Sequence, residues 1–475
     1  LTQHRPKMPV LGKRDKVAVA LATTGASVNV SNAVPPVAGQ VPVAISATQI
    51  EWQHQRIRSA FDVEDYGGLF DGSYFPYAGA ITTGTNIVTI TGASLTSSDI
   101  GKYLIIHGAG TSGKALISTI TGITSATICT LANNASATVT LQDVYYVSDD
   151  TTAWQNTIDA ALAAANTVTG SVAVITFPNG ISGIAGALQD TSVSNSQLWI
   201  KRSGYIEYAH ITLEFRGQQS PNSATTGSQA TNYTPAFGTI LLGLLDAGAG
   251  GSLFSARYGT ATFHRAYVKI SNLTVRMPPN PVLTGLDLSW AGCIDLEDVC
   301  VDAGNQRTYS ISTSPIVQPT TSTSYGIKTP AVNNNAYLRF GKNVSVVGFY
   351  NGITAGEHLW GDVSIWSCYR AIELITGYHA VHLRRVLVVG CPYVLVVTGV
   401  SYIKIDQIDI EYEDSSAGAH PTWCYQVYAV NDASNYGKGE LSWHTIKGGV
   451  GVVASFPKNG GTGIRCSELA TGTVT

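Results

Sequence analysis

Short apolar runs recur over roughly the last three hundred residues of the chain. Equivalent runs lie about 20–25 residues apart, the span of one coil of a solenoid, and no other feature restricts the fold so tightly. The clearest are Val268-Lys269-Ile270, Leu273-Thr274-Val275, Leu286-Asp287-Leu288, Leu296-Glu297-Asp298-Val299, Val344-Ser345-Val346, Val363-Ser364-Ile365, Ile372-Glu373-Leu374, Val386-Leu387-Val388, Leu395-Val396-Val397 and Ile403-Lys404-Ile405. Several follow a small turn residue, as in Gly285-Leu286, Gly326-Ile327 and Gly352-Ile353. A single coil cannot bury its own apolar edge, so each must stack on the next. Gln218 to Thr234 and Tyr309 to Ser324 interrupt the pattern with Ser, Thr, Asn and Pro, and read as loops thrown out from the wall.

Ahead of the repeat stands a stretch divided into two halves. Phe61-Asp62-Val63-Glu64-Asp65-Tyr66-Gly67-Gly68-Leu69-Phe70-Asp71-Gly72 reads as a short strand and a Gly-rich turn. Ser148-Asp149-Asp150-Thr151-Thr152-Ala153-Trp154 opens a helix, and Val172-Ala173-Val174-Ile175-Thr176-Phe177-Pro178-Asn179-Gly180 is a strand closed by a turn. Asp149 and Asp150 are candidate N-caps, because a short carboxylate can accept amide protons of the first helical turn. Trp154, Ile158, Ala161 and Leu162 recur at helical spacing and give one apolar face. Such a unit can plug the open end of a solenoid.

The two halves together resemble the opening of the pectate-lyase-like right-handed parallel β-helix superfamily, in which one amphipathic helix caps the first coil. Ser73 to Val147 interrupts the motif, and Ser98-Asp99-Ile100-Gly101-Lys102-Tyr103-Leu104-Ile105-Ile106-His107-Gly108-Ala109-Gly110 resembles a small β-rich insert of phage tail proteins. The resemblance covers roughly residues 61–180 and carries no catalytic residue. It implies an all-β chain: a right-handed parallel β-helix with an N-terminal capping helix and a small β insert.

The expected organisation is an N-terminal attachment arm over 1–60, the first coil and capping helix over 61–72 and 148–180, an inserted β-module over 73–147, a parallel β-helix over 181–424, and a C-terminal cap or trimer-contact region over 425–475. In the arm, Val28-Asn29-Val30, Val34-Pro35-Pro36-Val37 and Val41-Pro42-Val43 are β-like pieces broken by Pro and Gly, and Ile50 to Arg58 reads as a short connecting helix.

Composition narrows the class. Charged residues make up 12% of the 475, against a usual quarter or so, and 49 residues are Gly. The net charge of −3 leaves no electrostatic footprint for nucleic acid or membrane. Seven Cys without metal-type spacing read as buried reduced thiols. Lys13, Arg14 and Lys16 precede an apolar run too short for a signal peptide, and no run of about 18 apolar residues marks a transmembrane helix.

The chain holds no nucleophile elbow, P-loop, dinucleotide fingerprint or zinc pattern. Aligning coils by their Gly–apolar starts places Asp287, Lys328, Thr354 and Glu373 at one outward step. Glu357 then falls about one coil from Glu373, and paired carboxylates about 5–10 Å apart are what glycoside hydrolysis needs. Glu357, Glu373 and Asp287 are therefore the candidate catalytic acids. Trp290, Trp360, Trp366 and Tyr378 offer flat faces for sugar rings, with His358 and Lys328 as polar neighbours. Asp409, Glu411 and Glu413 share one face by alternation and could hold a cation, but a solvated face accounts for them, and no metal or cofactor is expected.

The resemblance implies a phage tailspike or tail-fibre subunit that assembles in the host cytoplasm and resides in the virion. It would form a homotrimer, bind host surface polysaccharide, and join other tail or baseplate proteins through its arm. Glycoside hydrolysis is a further activity that the acid pair allows. A non-enzymatic structural or receptor-binding fibre and a secreted pectate-lyase-like polysaccharide lyase are the alternatives. Neither nucleic-acid binding nor membrane insertion is expected.

Overall fold

The computed structural model describes residues 58–165 without a break, and segments between 40 and 54, 172 and 303, 324 and 411, and 425 and 466. The chain divides into two compact units, Leu1–Arg56 and Ile57–Thr475. In the first, Gln40–Ser46 pairs antiparallel with Gln49–His54 around a bulge between Ala44 and Ser46. The helix expected over Ile50 to Arg58 is not there. Ile50 and Trp52 alternate with Glu51 and Gln53, the period of a strand, and pairing decides the segment. Val28 to Val37 lies outside the described residues.

In the second unit the chain passes repeatedly between two long parallel sheets. The first sheet stacks Arg58–Asp62, Val172–Phe177, Thr212–Gly217, Tyr267–Arg276, Cys293–Asp302, Tyr337–Val347, His358–Trp366, Gly377–Val389, Val400–Glu411, Lys438–Leu441 and Ile464–Cys466 in that order. The second stacks Ser196–Arg202, Ser252–Tyr258, Thr284–Asp287, Tyr325–Lys328, Asn351–Ala355, Arg370–Leu374, Tyr393–Thr398, Tyr425–Val430 and Val452–Ser455. Each strand thus gives its free backbone edge to the strand one repeat later. Parallel pairing continues to Cys466. The C-terminal strands were not legible as coils because their apolar runs are short and widely separated.

The long strands of the first sheet are bent into two legs, and the bend has a residue-level cause. Asn272, Asp298 and Asn343 stand at equivalent positions, because Leu273 pairs with Val299 and Val299 with Val344. All three have φ between 54° and 57°. Asn and Asp tolerate this left-handed region better than other side-chain-bearing residues. Their polar groups also brace the corner: Asn343 Nδ2 donates to Asp298 Oδ1 at 2.6 Å, and Asn272 Nδ2 to the Gly217 carbonyl at 3.1 Å. Between the sheets lies one continuous apolar core that includes Phe215, Phe254, Ile270, Phe340, Ile353 and Ile365.

Thr151–Ala165 is a helix that buries Trp154, Ile158, Ala161 and Leu162 in that same core. The Trp154 ring packs 4.9 Å from Phe177 and 5.9 Å from Phe70. Asp149 caps as expected, accepting from the Thr151 amide. Asp150 does not: its carboxylate turns away from the helix and accepts the amides of Leu69 (2.9 Å) and Phe70 (3.2 Å) and the Ser182 hydroxyl (2.7 Å), which in turn accepts from Trp154 Nε1. One acid therefore ties together the two halves of the divided motif. Burial raises its pKa even though all three donors favour the charged form. Gly180, at φ 141°, closes against the Phe70 carbonyl where a Cβ would sit 2.5 Å away.

Ser73 to Val147 forms a closed antiparallel barrel of six strands, the last pairing with the first. Its Ile105, Tyr145 and Val147 pack on Ile181, Ile240, Leu242 and Leu244 of the parallel strands. Lys102 of the barrel bridges Asp99 (3.0 Å) and Asp71 (2.9 Å), so the barrel is also pinned to the Gly-rich turn. At the centre of the joint Arg276 is buried, ion-paired to Asp302 at 2.7 Å and donating to the Tyr145 hydroxyl. His107 sits beside this group, 5% exposed, and its Nδ1 has no hydrogen-bond partner among the described residues. Burial, with Arg276 adding to it against Asp143 and Asp302, lowers its pKa to about 4.

Two outcomes follow from these joints. Asp150→Ala leaves two buried donors, the Phe70 amide and the Ser182 hydroxyl, without an acceptor, each costing about 1–3 kcal/mol; a thermal melt should show a clear drop, and an unchanged midpoint would mean the network is incidental. His107 stays neutral in the folded chain but titrates near 6.5 when unfolded. Its contribution is then complete above pH ~6.5 and is lost as pH falls toward 4, amounting to about 2 kcal/mol by pH 5. Melts of wild type and His107→Gln at pH 7 and 5 should show the variant losing less stability on acidification.

Candidate functional site

The strand register decides which expected residues can act together. Asp287 pairs with Lys328, Lys328 with Thr354, and Thr354 with Glu373, so these four form one column of the second sheet. The column is not uniformly open: Thr354 is 1% exposed. Asp287 accepts from the amide of Ser289 at 3.1 Å and from its hydroxyl, which uses the carboxylate to shape the following turn. Lys328 lies over the Tyr325 ring, 5.5 Å from its centre. Glu373 is ion-paired to Arg370 at 3.0 Å, with its side chain 14% exposed. Burial raises the Tyr325 pKa, and the Glu373 charge adds to it.

The aromatic candidates fall elsewhere. Trp360 and Trp366 belong to His358–Trp366 in the first sheet, and the Gly361 bend separates them. Trp360 is 46% exposed, whereas Trp366 is half-buried on the second leg, paired with Val347 and Val389. Trp360 and Glu373 therefore stand on different sheets and do not form one patch. His358 pairs with Tyr337, and Tyr378 lies in Gly377–Val389, but their side chains are outside the described residues. Glu357 and Trp290 are outside the described residues altogether, as are the side chains of Asp409, Glu411 and Glu413.

A second column, on the outer face of the first sheet, carries more chemistry. The strands carrying Glu214, Lys269, Asp295, Arg339 and His382 have an apolar–X–apolar centre whose flanking residues lie in the core, and Trp360 follows the core residue Leu359 and precedes Gly361. Register links the central residues in the order Glu214, Lys269, Asp295, Arg339, Trp360, His382 and Lys404. Neighbours lie one inter-strand step apart, about 4.8 Å, so the six steps extend over roughly 29 Å. Lys269 bridges Glu214 at 3.5 Å, and Arg339 grips Asp295 through Nε (2.8 Å) and Nη2 (2.9 Å). The Tyr267 hydroxyl also donates to Asp295 at 2.9 Å. Burial and the Asp295 charge both raise the Tyr267 pKa.

Trp360 has well-defined surroundings. The His382 ring meets it edge-to-face at 4.3 Å, and the Arg384 guanidinium stands 6.0 Å from its centre. His382 Nε2 is 2.7 Å from Asp406 Oδ2, and Arg384 donates to Asp362 at 3.1 Å. Of this face, only Trp360 stood among the expected ligand-binding residues. The signal that could have found the others was the repeated apolar–X–apolar triplet itself.

No family model matches the chain, and no curated protein does. Among solved structures it is similar to the tailspike protein gp49 from Pseudomonas phage LKA1, at 10% identity and a TM-score of 0.18. The match covers 81% of this chain and 66% of that one. Likeness at that score does not carry the fold, which rests on the strand pairing described above. The described residues form no cluster of three or more metal-ligating side chains, and no helix among them is long and apolar enough to cross a membrane.

Proposed function

We propose that the chain is a subunit of a phage tailspike or tail fibre, that its two parallel sheets close into a right-handed β-helix, and that it binds host surface polysaccharide. The sequence resemblance over residues 61–180 supports the phage reading, and the alternation between two parallel sheets supports the solenoid. The single observation that favours glycan binding is the outward column of the first sheet, a ladder of polar side chains with one large ring, Trp360, left open to solvent. A flat apolar face flanked by hydrogen-bonding groups suits a sugar, whose ring is apolar on its faces and polar at its edge. Assembly as a homotrimer and attachment to other tail proteins through the N-terminal arm belong to the same reading.

Binding is a better reading than hydrolysis. Glu373 is held by Arg370, Asp287 by Ser289, and Asp295 by Arg339 and Tyr267, so each of these carboxylates is already engaged as a structural acceptor. Passing the protein over immobilised bacterial lipopolysaccharides and capsules tests this. One host polysaccharide should be retained without release of oligosaccharides. Trp360→Ala should weaken that retention roughly tenfold, the equivalent of about 1.4 kcal/mol. Retention of no polysaccharide would sink the reading. Release of oligosaccharides that Glu373→Gln abolishes would restore the hydrolase.

A further inference from the structure

Three ion pairs on the outer face of the first sheet share one arrangement. In those on Glu214, Asp295 and Asp298, the acid lies beneath and the base lies above. The Arg216 side chain is 45% exposed over Glu214 at 5%, Arg339 58% over Asp295 at 5%, and Lys342 66% over Asp298 at 8%. Lys269 (29%) also covers Glu214, and Arg384 (50%) is more open than its partner Asp362 (35%). His382, at 22% over Asp406 at 40%, is the exception. The chain as a whole carries −3, yet at Arg216, Arg339 and Lys342 the groups this face presents to solvent are cations standing over buried acids, with Asp362 and Asp406 the more open acids beside them. These groups occur on strands from Thr212–Gly217 to Gly377–Val389, five steps or roughly 24 Å.

The buried acids do two things. They hold the cations in place, which removes part of the entropy a free Arg or Lys would lose on gripping a ligand. Charge also keeps Glu214 ionised: burial alone would raise its pKa, but Arg216 and Lys269 outweigh it and hold it below the usual carboxylate range. The cations keep donors to spare. Arg339 and Arg216 each use Nε and Nη2 on their acid, which leaves the Nη1 protons for an acceptor outside. Trp360 stands on this face, with Arg384 beside it.

We infer that this face takes an anionic polysaccharide, its sugar ring against Trp360 and its carboxylates or other acidic substituents on Arg339, Lys342, Arg384 and Arg216. The inference rests on the polysaccharide-binding reading and narrows its ligand class. Guanidinium groups suit such substituents because they bind carboxylate and phosphate oxygens with directed hydrogen bonds as well as charge.

The experiment uses the full chain and three probes: polygalacturonate, the same polymer with its carboxyl groups reduced to alcohols, and polyphosphate, which has charge but no rings. Polygalacturonate should bind, more weakly as salt rises, and at least tenfold more tightly than its reduced form. The double variant Lys342→Gln, Arg384→Gln should lose most of that preference with its melting temperature kept, because Asp298 retains the Asn343 amide and Asp362 stays partly solvated. Trp360→Ala should weaken polygalacturonate binding and leave polyphosphate unaffected. Equal binding of the charged and reduced polymers overturns the inference, as does failure to bind polygalacturonate. Polyphosphate binding as tight as polygalacturonate, with no effect of Trp360→Ala, would mean a nonspecific cation layer and overturns it too. If a neutral host polysaccharide is retained in a Trp360-dependent way, the binding reading stands and only this narrowing fails.

Discussion

The structure depends on parallel backbone pairing between strands one repeat apart. A lone strand exposes a row of unpaired amides and carbonyls on each edge, and the strand one repeat later satisfies it. Because the pairing is in register from strand to strand, it does more than hold the backbone. Side chains at equivalent positions form straight columns at a fixed step, and inward and outward columns cannot exchange without slipping by one residue. Inside, the columns are Val, Ile, Leu and Phe. Outside, register alone brings residues as distant in sequence as Glu214 and His382 onto one line.

The first described strand of this stack, Arg58–Asp62, has no parallel strand before it, and the polar contacts that join residues 77 to 81 apart in sequence gather near it. The helix Thr151–Ala165 covers the apolar end, Asp150 takes up two amides of the Gly-rich turn, and Asp71 accepts from Ser148 and Lys102. The barrel lies on the outer face of nearby strands, with its apolar contact centred on Tyr145 and a buried Arg276–Asp302 pair. Such a pair adds little net stability against an apolar substitute, but losing one partner strands a charge. It therefore fixes the barrel's seat more than it strengthens it.

Much of the fold was legible because it is local or periodic. The capping helix, the Pro-Asn-Gly turn and the Gly–apolar strand starts were all visible, and the column Asp287–Lys328–Thr354–Glu373 follows from aligning those starts. Contacts across long separations were hidden. Nothing near Asp150 says that its carboxylate serves Leu69 and Phe70, 81 and 80 residues away, and nothing in the alternation of Ser73–Val147 says that its ends meet to close a barrel. Which expected site residues stand together was hidden for a related reason. Trp360 and Glu373 lie close in sequence but fall on different sheets, while Trp360 and Arg339 are neighbours across a full repeat. In a stack of parallel strands the useful neighbourhood is one repeat away, not a few residues away.

The functional reading depends on those outward columns, so the step between coils is the quantity to measure. Spin labels at positions 269 and 382 sit on outward residues of one column, four steps apart. Pulsed dipolar spectroscopy should place them about 19 Å apart, four times the inter-strand spacing, with a narrow distribution. A mean well beyond about 30 Å, or a broad distribution spanning several steps, would contradict the parallel stack and the binding reading proposed for its outer face.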